Sequence, residues 1–225
     1  MLFIDRHDAG RRLGGRLLEL KEKSPIVLAL PRGGVPVGFE VARALAAPLD
    51  LVLVRKIGAP FQEELAVGAI TDGEDPEFVT DARLVADLHI SPEYLEEAKT
   101  AALQEIERRR RIYLGDRQPV DVAGRTVIVV DDGIATGATM LAALRATRRR
   151  KPGQIVLAVP VAPEHALRDL RREVDKIVCL DTPTDFEAVG QFYRQFPQLR
   201  DEEVIELLDQ ARAFAPSTKP GGRHQ

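Results

Sequence analysis

The stretch VIVVDDGIATGAT, residues 127–139, places four apolar residues before two adjacent carboxylates and a turn of small and hydroxyl-bearing residues. A continuous apolar run, without polar alternation, is typical of a strand that is covered on both faces, as in a parallel sheet. The segment after the turn, residues 138–150, has a helical pattern that Pro152 and Gly153 stop. The stretch therefore predicts a strand, a turn over residues 131–137 and a helix.

Similar apolar runs occur on both sides of this unit, at residues 26–30, 51–54, 155–159 and 177–180. Helical patterns such as residues 37–46 lie between them. The repeated β-α-β order predicts an α/β protein with a doubly wound, mainly parallel, Rossmann-like sheet. Ligands of such sheets bind beyond the carboxyl ends of the strands, which is where the two acids lie.

The composition indicates one soluble globular domain over residues 1–215, followed by a tail, residues 216–225, that we expect to be disordered. Because the net charge is −3, no overall basic field attracts nucleic acid, and we expect no such partner. The lone Cys179 lies in an apolar run, which indicates a buried, unreactive thiol. The N-terminus lacks a signal-peptide pattern, and no apolar run approaches the roughly 20 residues that cross a bilayer. We therefore expect a cytoplasmic protein without membrane contact.

One segment interrupts the alternation of strands and helices. Residues 91–113 predict a long helix inserted into the domain, with Ser91 as its cap and Pro92 at its first position. Acids crowd the start of this segment and arginines, residues 108–111, crowd its end. Because this distribution suits the helix dipole, it favours a solvated helix end over a nucleic-acid patch.

The turn over residues 131–137 has the chemistry of a phosphosugar site. Free N–H groups at a helix start, together with the helix dipole, bind anions, and Thr136 and Thr139 add hydroxyl donors. Adjacent buried acids raise each other's pKa unless a cation, a metal or hydroxyl groups satisfy them, and a vicinal diol offers two hydroxyls. Asp131 and Asp132 could instead only end a strand and cap a helix. The acid pair together with the complete Thr-Gly-x-Thr turn favours a ribose 5-phosphate site.

At every defining position, this stretch resembles the phosphoribosyl pyrophosphate signature of type I phosphoribosyltransferases. The resemblance implies that Asp131 and Asp132 hold the ribose hydroxyls at the catalytic centre. It also implies that the next residues wrap the 5-phosphate: Ala135, Thr136, Gly137, Ala138 and Thr139. Magnesium is expected as cofactor, bound mostly through substrate and water, near Asp131 and Asp132. A homodimer is expected for this fold.

A second anion site is predicted after the first strand, where Arg32, Gly33 and Gly34 follow an apolar run. Two glycines let backbone amides approach an anion beside the arginine, although the same residues also form ordinary βα turns. Beside the first motif, they resemble the pyrophosphate loop of the family. That resemblance predicts a cis peptide bond between Pro31 and Arg32.

Arg55 and Lys56 are predicted to end the second strand, before a loop that contains glycine and proline. They resemble the start of the loop that closes over the active site in this family, most nearly the Arg-Lys-x-Gly of adenine phosphoribosyltransferases. A solvated strand end is the alternative. On the family interpretation, Arg55 binds substrate, Lys56 belongs to the catalytic residues, and both neutralise the departing pyrophosphate.

The acceptor is less defined by the sequence. Where the 6-oxopurine branch of the family has an aspartate before the Thr-Gly pair, this chain has Ala135. Hypoxanthine and guanine therefore rank low among the candidate acceptor bases. A C-terminal hood over residues 182–198 is a candidate for base binding. Its aromatic residues, in a chain with only 5% aromatics, could stack on a base or pack the final helix, residues 201–214, onto the core. These residues are Phe186, Phe192, Tyr193 and Phe196.

Two functions of different class follow. The leading hypothesis is a phosphoribosyltransferase of the nucleotide salvage type, which transfers 5-phosphoribosyl from phosphoribosyl pyrophosphate to a nitrogenous base and releases pyrophosphate. The alternative is a non-catalytic regulator that senses the phosphosugar and contacts RNA or a protein partner. The intact Arg32, Arg55 and Lys56 favour catalysis, because a sensor could lose them.

Overall fold

The computed structural model describes residues 2–72, 76–115 and 117–213. Within them, five strands form a parallel sheet in the order β2-β1-β6-β7-β8, and three strands form an antiparallel sheet in the order β3-β4-β5. The strands are β1 (Ile26–Ala29), β2 (Leu49–Leu51), β3 (Val54–Ala59), β4 (Gln62–Thr71), β5 (Phe78–Thr80), β6 (Thr126–Val130), β7 (Gln154–Val161) and β8 (Lys176–Asp181).

Seven α-helices lie in the same described residues. They are α1 (Arg6–Arg16), α2 (Gly34–Leu45), α3 (Ala82–Asp87), α4 (Pro92–Leu114), α5 (Ala138–Arg149), α6 (Glu164–Leu170) and α7 (Asp201–Ala211). Two 3₁₀-helices, Leu18–Lys23 and Val189–Phe192, complete the elements. None of the helices in this part of the chain combines the length and the apolar character needed to cross a membrane.

The parallel sheet forms because its strands bury both faces. In β6, Ile128 and Val130 pack with residues of α1 and α2, whereas Val127 and Val129 pack with residues of α5 and α6. All four side chains are fully buried. The continuous apolar run therefore reflects cover on both faces, and the predicted α/β fold with a mainly parallel central sheet is confirmed.

The predicted second strand, residues 51–54, was wrong in its bounds. Strand β2 ends at Leu51, and Val54 begins β3 of the antiparallel sheet. The linking residues Val52 and Leu53 are buried, so the apolar run reports burial rather than strand pairing. The glycine and proline after Lys56, which predicted a loop, belong to the β3–β4 hairpin. The turn of this hairpin contains the fully exposed Phe61.

The inserted helix forms as predicted. The Ser91 hydroxyl accepts a hydrogen bond from the Tyr94 N–H at 3.2 Å, and Pro92 is the first helical residue. In its last turns, Arg108 and Arg109 pair with Glu105. The final helix, α7, ends before the predicted boundary, and the predicted tail, residues 216–225, lies outside the described residues.

Candidate functional site

Two loops at the carboxyl edge of the parallel sheet come together because β1 and β6 are neighbours. The Gly33 Cα faces the acid pair so closely that an added Cβ would lie 2.1 Å from Asp132 Oδ2. Gly34 opens α2, and its N–H donates to the Leu30 carbonyl at 2.9 Å. The Pro31–Arg32 bond is cis, as predicted. The tertiary structure thus places the two sequence motifs in one site.

The two acids differ in their surroundings. Asp131 is half-buried and its Oδ1 accepts a hydrogen bond from the Asp132 N–H at 2.8 Å. Burial, and then the neighbouring Asp132, raise the pKa of Asp131 well above its usual value. Burial also raises the pKa of Asp132, although Arg6 opposes this shift. Of the two acids, Asp132 is therefore the one that an arginine directly neutralises.

Arg6 is a residue of the site that sequence reasoning missed. Its Nε donates to Asp132 Oδ2 at 2.7 Å, and its Nη1 donates to the Pro197 carbonyl at 2.8 Å. Its guanidinium carbon lies 3.7 Å from the centre of the Phe196 ring. The sequence carried one weak signal, a cation directly after the helix-capping Asp5, where the helix dipole disfavours positive charge.

The turn after the acids lines a cavity of about 220 Å³. Gly137 precedes α5 with φ of +85°, a conformation that suits glycine, and no side chain caps the helix there. The first N–H groups of α5 are therefore available to an anion. The cavity is lined by Lys56, Asp131, Gly133, Ile134, Ala135, Thr136, Gly137, Thr139, Met140 and Val189. Ala138 lines the adjacent cavity of about 470 Å³, which Lys56 also borders.

The three predicted cationic side chains, Arg32, Arg55 and Lys56, lie in different places in the structure. Lys56 borders the cavity that contains Asp131, whereas Arg55 lies 3.7 Å, Nη1 to Oε1, from Glu105 of α4. Neighbours along a strand alternate between its two faces, which accounts for this division. Arg32 Nη1 lies 3.7 Å from Asp201 Oδ1, at the start of α7. Of the three, Lys56 is the cation brought to the turn.

The aromatic residues of the 182–198 segment pack on the N-terminal residues of the chain rather than between α7 and the core. Phe192 and Tyr193 are buried against Phe3. The Phe3 N–H donates to the Phe192 carbonyl, and the N–H groups of Arg194 and Gln195 donate to the carbonyls of Phe3 and Ile4. Phe186 stacks on Phe192, with ring centres 5.3 Å apart. The Tyr193 hydroxyl donates to the Asp132 carbonyl at 2.5 Å, so this segment touches the acid pair directly.

The turn and the acid pair lie together at the carboxyl edge of a parallel sheet, which is the edge where α/β proteins bind their ligands. A family model described as the phosphoribosyl transferase domain matches residues 6–197. The chain belongs to the phosphoribosyl transferase family. The matched residues include the acid pair, the turn and Arg6.

Particular relatives agree with this assignment. Two proteins of Mycobacterium tuberculosis, from strains H37Rv and CDC 1551 / Oshkosh, are named provisionally as phosphoribosyl transferases; each is 47% identical over 215 residues, 95% of this chain and 48% of the relative. This chain thus spans about half the length of these curated relatives. The crystal structure of the protein TT1426 from Thermus thermophilus is similar with a TM-score of 0.77 and 40% identity, over 96% of this chain and 100% of that one.

Proposed function

We propose that the protein transfers 5-phosphoribosyl from phosphoribosyl pyrophosphate to a nitrogenous base, with release of pyrophosphate, in a nucleotide salvage reaction. One observation carries the proposal: Asp131, Lys56 and the Thr136–Gly137 turn border one cavity at the carboxyl edge of the parallel sheet. In this arrangement the α5 N-terminus and the threonine hydroxyls bind the 5-phosphate, and the acids accept hydrogen bonds from the ribose hydroxyls.

The reaction needs no protein nucleophile. Displacement at the anomeric carbon passes through an oxocarbenium-like state, so the protein has to position the ribose, neutralise the departing pyrophosphate and exclude water. Lys56 is the cation on the cavity wall, and the Arg32–Gly34 loop supplies a second anion site beside the acids. Arg55, which lies next to Glu105, is assigned a smaller part.

Magnesium fits this site as a substrate-borne ion. In the part of the chain that the structure describes, no group of three or more acid, histidine or cysteine side chains forms a metal site. The carboxylates of Asp131 and Asp132 offer the hard oxygens that Mg²⁺ prefers, and pyrophosphate and water supply the rest. When bound, the ion neutralises charge on the leaving pyrophosphate.

The absence of an acid at position 135 of the turn limits which base can be the acceptor. Ala135 leaves the turn without the acid found in the 6-oxopurine branch of the family, so we propose an acceptor other than hypoxanthine or guanine. The apolar Val189 and Ile134 on the cavity wall suit the face of a planar base.

Pyrophosphate release from phosphoribosyl pyrophosphate and Mg²⁺, measured with a panel of purine and pyrimidine bases, tests the proposal. We expect turnover with at least one base and a loss of roughly hundredfold or more in Asp131→Asn. Exposed Asp87→Asn, on α3, is the matched control and should behave as the parent. Binding of phosphoribosyl pyrophosphate without turnover by any base, together with salt-sensitive RNA binding, would instead establish the sensor hypothesis.

The homodimer and the cytoplasmic location are proposed alongside this activity. Sedimentation of the purified protein checks the first, and fractionation of the source cells checks the second. A monomer at micromolar concentration would contradict the predicted assembly.

A further inference from the structure

Neither the helix dipole nor the net stability of a buried ion pair favours an arginine at position 6. It is 8% exposed and begins α1, where a positive charge opposes the helix dipole. Its partner Asp132 is equally enclosed, and a buried ion pair contributes little net stability because both groups lose water. By contrast, Arg12 on the same helix pairs with Asp8 while 42% of its side chain is exposed. The geometry of Arg6 therefore calls for a functional explanation.

Asp132 is held at three points of its structure. Arg6 Nε binds carboxylate Oδ2, the Tyr193 hydroxyl binds the backbone carbonyl, and the backbone N–H donates to Asp131 Oδ1. The last hydrogen bond links Asp132 to the carboxylate that borders the cavity. A displacement of Asp132 would thus move Asp131 as well.

Arg6 also binds the 182–198 segment, through the Pro197 carbonyl and the Phe196 ring. A planar guanidinium can serve all three partners at once because its donors form a fixed fork and its face stacks on aromatic rings. A lysine ammonium at this position would keep the charge but lose the fork. The arrangement is specific to arginine.

We propose that Arg6 is a positioning residue that holds the Asp131–Asp132 pair in place for the ribose hydroxyls and joins it to the 182–198 segment. The proposal rests on the proposed function, because it assumes that the acids bind a phosphosugar. Arg6 is assigned no direct contact with the substrate. Its action passes through Asp132 to the ribose site, whereas the phosphate turn on α5 does not depend on it.

Binding of ribose 5-phosphate and of inorganic phosphate, measured by calorimetry on the full chain, separates these two parts of the site. In Arg6→Met we expect the dissociation constant for ribose 5-phosphate to rise about tenfold or more, and that for phosphate to stay within about twofold. Arg6→Lys should recover part of the lost affinity. Arg12→Met is the matched control, because Arg12 lies on the same helix as Arg6 and its guanidinium carbon is 5.5 Å from the centre of the Phe3 ring. This variant should bind both ligands as the parent does.

Phe196→Leu supplies an independent variant in case Arg6→Met does not fold. We expect it to weaken ribose 5-phosphate binding about threefold. In a protein that carries both changes, we expect the affinity to fall no further than in Arg6→Met alone, because both changes act through one guanidinium. Equal losses for both ligands, or unchanged ribose 5-phosphate binding in the Arg6 variants, would overturn the positioning role. If the parent binds neither ribose 5-phosphate nor phosphoribosyl pyrophosphate, the proposed function fails instead.

Discussion

The parallel and the antiparallel sheets meet at one cavity but supply it differently. The parallel sheet provides a whole loop, the turn between β6 and α5, and Gly33 of the neighbouring β1 loop lies against its acids. The antiparallel sheet provides a side chain, Lys56, from the middle of β3. The role of a loop can be recognised from a short sequence motif. The role of a strand side chain can be recognised only when the face that it occupies and its neighbours are known. Variants in each sheet test this division.

The largest effect is expected from Gly33→Ala in the parallel-sheet loops. A Cβ would lie 2.1 Å from Asp132 Oδ2, an oxygen that Arg6 already holds. We expect affinity for phosphoribosyl pyrophosphate to fall about hundredfold and stability to fall by roughly 1–3 kcal/mol. Gly15→Ala is the control, since nothing lies within 4 Å of a Cβ there. Calorimetric titration and denaturant unfolding measure both quantities, and a variant that binds like the parent would disprove the close contact.

The next effect compares two neighbours on β3. Lys56→Ala should weaken phosphoribosyl pyrophosphate binding roughly tenfold, because Lys56 borders the cavity with Asp131. Arg55→Ala should change it less than about threefold, because Arg55 faces Glu105 and is partly exposed. The same titration measures both variants. Equal losses would contradict the assignment of Lys56, and not Arg55, to the site.

A smaller effect concerns the end of β4, away from the site. Burial raises the pKa of Asp72 to about 6, so its ionised form destabilises the fold above that pH, and the cost disappears as pH falls below the unfolded value near 4. We expect Asp72→Asn to stabilise the protein by roughly 1–2 kcal/mol at pH 8. Thermal unfolding at several pH values should show this advantage shrinking between pH 6 and pH 4. An advantage that grows as pH falls would have the wrong sign.

The smallest effect is expected at the tip of the antiparallel sheet. Phe61 is fully exposed, so Phe61→Ser should change stability by less than about 0.5 kcal/mol. Denaturant unfolding measures this change. A larger loss that depends on protein concentration would mean that a second copy of the chain covers Phe61, which would bear on the predicted homodimer.

Sequence patterns predicted the central sheet, the inserted helix with its Ser91 cap, and the turn at residues 131–137. Each depends on neighbours along the chain: an apolar run, a cap, or small residues before a helix start. The prediction failed at residues 51–54, where one apolar run crosses from β2 to β3. Hydrophobicity alone reports burial there and does not report which sheet a residue joins.

By itself, the sequence determined the α/β fold, the paired acids and the turn before α5, because each of these features depends on residues that are adjacent along the chain. Only the tertiary structure decided which groups reach the acids. Arg6 and Tyr193 lie far from Asp132 along the chain, and they meet it because the N-terminal segment pairs with residues 192–195 beside the end of β6. Long-range contacts of this kind depend on the packing of whole elements, which no short stretch of sequence specifies.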